Sequence, residues 1–71
     1  MEILSKKLRE AREGNLLTQK KLAEKIGISL RAYENYEHIG GNHREPKLQT
    51  LVKIADVLDV SVDFLLGRKE F

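Results

Sequence analysis

The side chains best suited to chemistry crowd into one stretch, Thr18 to Asn35, TQKKLAEKIGISLRAYEN. Arg31 carries a planar guanidinium that can bind guanine O6 and N7 in bidentate fashion, provided a helix aims it into a major groove. Its plainer reading is an exposed arginine paired with Glu34 three residues on. Leu30, beside it and also outward, either meets a thymine methyl or is one of many tolerated surface leucines. Asn35 lies one turn further along the same face, where an amide suits adenine, or a phosphate if it tilts outward. Glu34 is the awkward member, because phosphates repel a carboxylate. It either accepts from cytosine N4 or, the favoured reading, holds Arg31 in a productive rotamer. Thr18 and Gln19 open an earlier helix whose free amides and positive dipole end suit a phosphate, although Thr18 is equally well explained as a helix cap. Lys20 and Lys21 add non-specific attraction.

Other chemistries find less support. Tyr33 and Tyr36 invite base stacking, but their spacing puts them on an inward face. His38 and His43 stand near Glu37 and Glu45, yet a loop with two glycines and no third strong ligand makes a poor zinc cage, so no metal site is expected. Ser5, Ser29 and Ser61 show no His–carboxylate arrangement in the sequence, and two of them serve better as caps. No phosphate-cradling glycine loop or catalytic carboxylate pair is present. The chain reads as a binding protein without a cofactor, not as an enzyme.

Helices must position these groups. Leu22, Ala23 and Ile26 form an apolar stripe, Gly27 breaks the helix where a positive φ is needed, and Ile28 plugs the corner. Ser29 can cap a second helix whose inward residues are Tyr33 and Tyr36. A small residue at Ala23 allows the steep crossing. This is the geometry of a helix-turn-helix, with the second helix presented to a DNA major groove. Before it, residues 2–13 predict a helix burying Leu4, Leu8 and Ala11, with Lys6, Lys7, Arg9, Glu10 and Arg12 on its other faces and Gly14-Asn15 as a left-handed exit. Leu17-Thr18-Leu22, Ile28-Ser29-Tyr33 and Val60-Ser61-Leu65 repeat one staple-and-cap pattern. HIGGNHRE, residues 38–45, reads as a flexible loop. Pro46 suits a helix entrance, followed by residues 47–58 with Leu48, Leu51, Ile54, Ala55 and Leu58 as the buried stripe. A last helix at about 61–66 turns Val62, Leu65 and Phe64 inward, and 68–71 is expected to fray.

Seventy-one residues allow one domain with a modest core. No cysteine is present to supply a disulfide or thiolate site, which fits a reducing cytoplasm. No apolar run approaches the roughly 20 residues of a membrane span, nor does the N-terminus carry the apolar core of a signal peptide. The cytoplasm is the expected compartment. Net charge is only +2, but residues 1–47 hold ten Lys/Arg against seven Asp/Glu, whereas 48–71 hold three against four. A basic front half suits phosphate, though an ordinary solvated surface would look the same.

LREARE at 8–13, LTQKKLAEKIGIS at 17–29, YE at 36–37 and REPKLQTLVKIADVLDVSVDFLL at 44–66 follow the order of a known pattern. By these motifs the chain resembles the Xre family, the Cro- and phage-repressor-like helix-turn-helix proteins. The resemblance covers nearly the whole chain and implies an all-α, compact five-helix lambda-repressor-like domain over residues 1–67, with 68–71 as a C-terminal tail. It further implies that Gln19 contacts DNA. The family usually has Asn-Gly and basic residues after the recognition helix, in a loop that often approaches the DNA backbone. Here the loop is longer and lacks Asn-Gly, which leaves Arg44 to make that approach. Expected base contacts are therefore Leu30, Arg31, Glu34 and Asn35, and expected backbone contacts Thr18, Gln19, Lys20, Ser29 and Arg44. The function implied is a sequence-specific transcriptional regulator of double-stranded DNA, most simply a repressor. One such domain makes few base contacts, so a homodimer on an inverted repeat, with half-sites about 34 Å apart, is expected. Leu66, Phe71 and the Ile39 loop are its candidate contacts. The rival reading is a protein-interaction module such as the antitoxin partner of a toxin or a bridging factor. Met1 argues for a true start, and the chain could still be cut from a longer repressor at its C-terminal end.

Overall fold

Each helix starts and stops for a reason written in its own residues. In a computed structural model, which describes residues 1–70, the order is α1 (Glu2–Gly14), α2 (Gln19–Ile26), α3 (Leu30–Glu37), α4 (Leu48–Leu58) and α5 (Val62–Leu65). No strand occurs among the described residues. Three helices open on a hydroxyl cap: Thr18 Oγ1 accepts from Lys21 N at 3.0 Å, Ser29 Oγ from Ala32 N at 3.1 Å, and Ser61 Oγ from Phe64 N at 2.9 Å. Gly27, at φ 77°, closes α2, and Ile28 N–H returns to Ala23 O at 3.0 Å. Asp59, at φ 56°, ends α4 in the same way, with Val60 N–H on Ala55 O at 3.0 Å.

α1 packs against α3 and α5, α2 against α3 and α4, and α4 against α5. Leu4, Leu8 and Ala11 of α1, Leu22, Ala23 and Ile26 of α2, and Leu51, Ile54, Ala55 and Leu58 of α4 fill the centre with Tyr33, Phe64 and Leu65. Burying these side chains, at about 1.5–3 kcal/mol for each large one, is the main force holding five short helices together. Tyr33 is fully buried and meets the half-buried Tyr36 edge to face, with centroids 6.1 Å apart, so both rings belong to the core.

Four local expectations need correction. The left-handed residue after α1 is Leu16, at φ 58°, and not Gly14 or Asn15; Asn15 has φ −92°. The Asn15 amide is used instead to donate to Ala11 O at 2.9 Å and Leu58 O at 3.0 Å, which pushes the reversal one residue on. Leu48 is 72% exposed rather than core, because at the first position of α4 no neighbouring helix covers the stripe. Pro46 precedes the Lys47 cap position instead of opening the helix. Arg68, expected to fray, donates its N–H to Asp63 O at 2.8 Å.

Residues 38–47 fold back across the start of α1. Their turn closes through His43 N–H to Gly40 O at 3.1 Å, and Arg44 N–H donates to Asn35 O at 3.0 Å. The His43 ring lies under this turn, with Nδ1 2.9 Å from His38 O and 3.0 Å from Ser5 Oγ. Ser5 is 1% exposed and donates to Tyr36 O at 2.8 Å. A segment that reads as flexible in composition is thus pinned at both ends and in the middle.

Candidate nucleic-acid interface

Opposite charges on apolar stripes decide how this face is built. Arg12 follows Leu8 by four residues and Glu37 follows Tyr33 by four, so both charges sit on buried faces of their helices. They meet: Arg12 Nε donates to Glu37 Oε2 at 2.7 Å and Nη2 to Oε1 at 3.1 Å, with the side chains 11% and 5% exposed. Arg12 Nη1 also donates to Leu17 O at 2.8 Å. Glu37 accepts further from the Tyr33 hydroxyl and from Gln19 Nε2, the latter at 3.1 Å. The hydrogen bond to Glu37 raises the Arg12 pKa, and burial, followed by the hydrogen bond to Glu37, pushes the Tyr33 phenol well above its usual range. One carboxylate therefore fixes α1, the start of α2 and α3 relative to one another. Sequence reading placed Arg12 on a solvent face, although its spacing from Leu8 was the available signal.

Above this anchor opens a polar cleft of about 530 Å³. Arg31, Glu34 and Asn35 of α3 form one wall, Gln19 stands at the start of α2, and Arg9 comes from α1. His38 and Asn42 close it from the loop. The structure thus brings together Gln19, Arg31, Glu34 and Asn35, and adds Arg9 and Asn42, which the sequence did not single out, and His38, which it weighed only as a metal ligand. Arg9 pairs with Glu13 at 3.2 Å. Arg31 has no hydrogen-bond or ion-pair partner among the described residues, so the expected Arg31–Glu34 pair does not form. An exposed i,i+3 pair gains too little in water to hold two long side chains. The guanidinium is free to meet a ligand.

The remaining expected contacts are spread around the rim. Leu30 is 39% exposed at the start of α3, and Lys20 is exposed on α2. Thr18 and Ser29 are exposed, and their hydroxyls accept from the helix amides described above. Arg44 does not join the cleft. It lines a second groove of about 410 Å³ with Ala32, Tyr36 and Lys47, on the other flank of α3, and Asn35 forms the ridge between the two.

Ser5, His43 and Glu45 fall into a line absent from the sequence order: Ser5 Oγ is 3.0 Å from His43 Nδ1, and His43 Nε2 is 2.7 Å from Glu45 Oε1. The Met1 amino group donates to both Nε2, at 2.9 Å, and Glu45. That hydrogen bond from Met1, followed by the contact with His43, lowers the Glu45 pKa. With Ser5 buried and its proton committed to Tyr36 O, this line braces the loop and offers no accessible nucleophile.

A helix-turn-helix family model matches residues 8–65. The chain belongs to the Xre-type helix-turn-helix family. It is 42% identical over 67 residues to the HTH-type transcriptional regulator ImmR of Bacillus subtilis (strain 168), covering 94% of this chain and 50% of that protein. It is 44% identical over 64 residues to the uncharacterized regulator YqaE of the same organism, covering 90% and 53%. The cryptic phage CTXphi transcriptional repressor RstR of Vibrio cholerae (serotype O1, strain ATCC 39315 / El Tor Inaba N16961) is 42% identical over 65 residues, 92% of this chain and 55% of RstR. The chain thus spans about half the length of these relatives. No solved structure matches it at a significant level. Among the described residues no helix is long and apolar enough to cross a membrane.

Proposed function

We propose that this domain is a sequence-specific DNA-binding transcriptional regulator whose α3 enters the major groove. The observation that carries the reading is the convergence of an unpaired Arg31 with Glu34, Asn35 and Gln19 in one open polar cleft. In this reading Leu30, Arg31, Glu34 and Asn35 face base edges, and Thr18, Gln19, Lys20, Ser29 and Arg44 face the backbone. With one amide hydrogen committed to Glu37, Gln19 keeps a second for a phosphate oxygen. Residues 1–67 are the DNA-binding domain and 68–71 its tail; the chain works in the cytoplasm, without cofactor, metal or enzymatic activity.

A dimeric repressor that blocks polymerase on an inverted repeat is the simplest mode of action; of the relatives, RstR is named a transcriptional repressor and ImmR a transcriptional regulator. Ile39, which is exposed, and Leu66 are the contacts proposed for the dimer; Phe71 lies outside the described residues. A second reading, a protein-interaction module such as an antitoxin, is favoured by Leu48 and Val52, two exposed apolar side chains one turn apart on α4.

Selection from a random pool of duplex DNA separates these readings. An operator reader enriches an inverted repeat with half-site centres about 10 base pairs apart, and its affinity falls steeply with salt. A folded protein that enriches nothing would be a protein binder.

A further inference from the structure

We infer that Glu37 is a positioning residue for DNA binding: it holds the Gln19 side-chain amide with its free N–H available to a phosphate. The inference rests on the reading that this face binds DNA, and concerns a side chain that acts on the duplex only through another.

Gln19 is half-buried at the first position of α2 and lines the cleft with Arg31 and Asn35. A glutamine amide at a surface can present either its NH2 group or its carbonyl, and a phosphate pairs only with the first. Glu37 removes that ambiguity. An ionised carboxylate has no proton to give, so the Gln19 NH2 group must face it, as it does at 3.1 Å. The second hydrogen of the same nitrogen is then the one side-chain donor left for a ligand. A side chain held before the ligand arrives also loses less rotamer freedom on binding.

The clamp is fixed from several sides. Glu37 Oε1 accepts from Gln19 and from Arg12 Nη2 at 3.1 Å, while Oε2 accepts from Arg12 Nε at 2.7 Å and from the Tyr33 hydroxyl. With two donors on each oxygen and only 5% of the side chain exposed, the carboxylate has no room to swing away. Arg12 also offsets its charge, which would otherwise repel the phosphate that Gln19 is to hold. The same guanidinium donates to Leu17 O at 2.8 Å, two residues before Gln19. Backbone and amide of Gln19 are thus aligned from one centre. Arg12 and Tyr33 alone would satisfy a carboxylate with a purely structural task; the bond to Gln19 carries the anchor out to the open cleft.

The test is a cycle of duplex-binding measurements on wild type, Gln19→Ala, Arg12→Met/Glu37→Leu and the triple variant, each first confirmed folded by circular dichroism. The paired replacement removes one charge of each sign, so long-range attraction to DNA is the same in both backgrounds. In the wild-type background Gln19→Ala should weaken binding about 10- to 100-fold, equally for every sequence, as for a hydrogen bond to a charged group. The paired replacement should itself weaken binding about 2- to 10-fold, the cost of immobilising one freed side chain, with base preferences unchanged. In that background Gln19→Ala should cost less by the same factor. Equal costs for Gln19→Ala in both backgrounds would mean that Glu37 acts on stability alone. Base preferences lost in the paired replacement would mean that Glu37 holds α3 and not Gln19. Gln19→Ala with no effect, or with a loss at a single base pair, would deny Gln19 a phosphate contact. Each of these three results overturns the inference and leaves the reading that α3 enters the major groove standing. A wild type that prefers no duplex would overturn that reading, and this inference with it.

Discussion

Glu37→Ala should cost this domain about a third or more of its stability, and Arg12→Met/Glu37→Leu should recover much of that loss. Glu37 is 5% exposed and accepts from Arg12 twice, from Gln19 and from Tyr33. Truncating it leaves a guanidinium that is 11% exposed without its carboxylate, while Leu17 O still accepts from Nη1. Breaking a buried pair by removing one partner costs about 3–5 kcal/mol. A chain of this size has a total stability of roughly 4–10 kcal/mol, so the loss takes a third or more of it. The midpoint of thermal unfolding should drop by at least about 12 °C, at about 4 °C or more per kcal/mol. Replacing both partners by apolar side chains removes the uncompensated charge and its desolvation together; the Tyr33 hydroxyl still loses its acceptor, so the double variant should come back to within about 1–3 kcal/mol of wild type. Urea unfolding followed by helical circular dichroism measures Glu37→Ala and the cycle of wild type, Arg12→Met, Glu37→Leu and the double variant. A Glu37→Ala loss below about 1 kcal/mol, or a double variant costing the sum of the two singles, would refute the view that this pair is a coupled anchor between α1 and α3.

Two smaller effects follow from local geometry. Leu16 is 93% exposed at φ 58°, where a branched side chain is strained and buries nothing, so Leu16→Asn should stabilise by roughly 1 kcal/mol in the same urea assay. Glu45 has its pKa lowered, first by the Met1 amino group and then by His43. Its contribution is therefore complete above the unfolded value of 4.5 and is lost as pH falls through the lower folded value. With the side chain 53% exposed, Glu45→Gln should shrink the difference in stability between pH 7 and pH 3 by only about 0.2–1 kcal/mol.

What the sequence made legible was local. Thr18, Ser29 and Ser61 could be named as caps because the acceptor, the amide and the apolar staple all lie within five residues of one another. Gly27 was readable for the same reason, since the turn it serves needs a positive φ that few residues supply. Leu16 escaped because Gly14 and Asn15 are the residue types that normally take that conformation, and only the contact from Asn15 to Leu58, across 43 residues, moves the reversal on. Leu48 has the right spacing for the stripe, but spacing says which side a residue faces and not whether a neighbour covers it. In the cleft, the α3 residues were readable from helical periodicity alone. Arg9 arrives from a segment far away in sequence, put there by the packing of α1, while His38 and Asn42 follow α3 closely and reach the cleft only because the chain leaves the helix there and folds back. The Arg12–Glu37 pair lay between these cases: two opposite charges on two apolar stripes predict a buried pair, and the periodicity that placed Leu8 and Tyr33 also placed them.

The central claim, that α3 reads bases through Arg31, is tested most directly by competition binding of wild type and Arg31→Ala to the selected duplex and its single-base variants over a range of salt. Wild type should discriminate at one base pair by about 1–3 kcal/mol, and Arg31→Ala should lose that discrimination there while keeping it elsewhere. Equal loss against every sequence, accompanied by a salt slope smaller by about one, would mean that Arg31 neutralises a phosphate and that another residue does the reading.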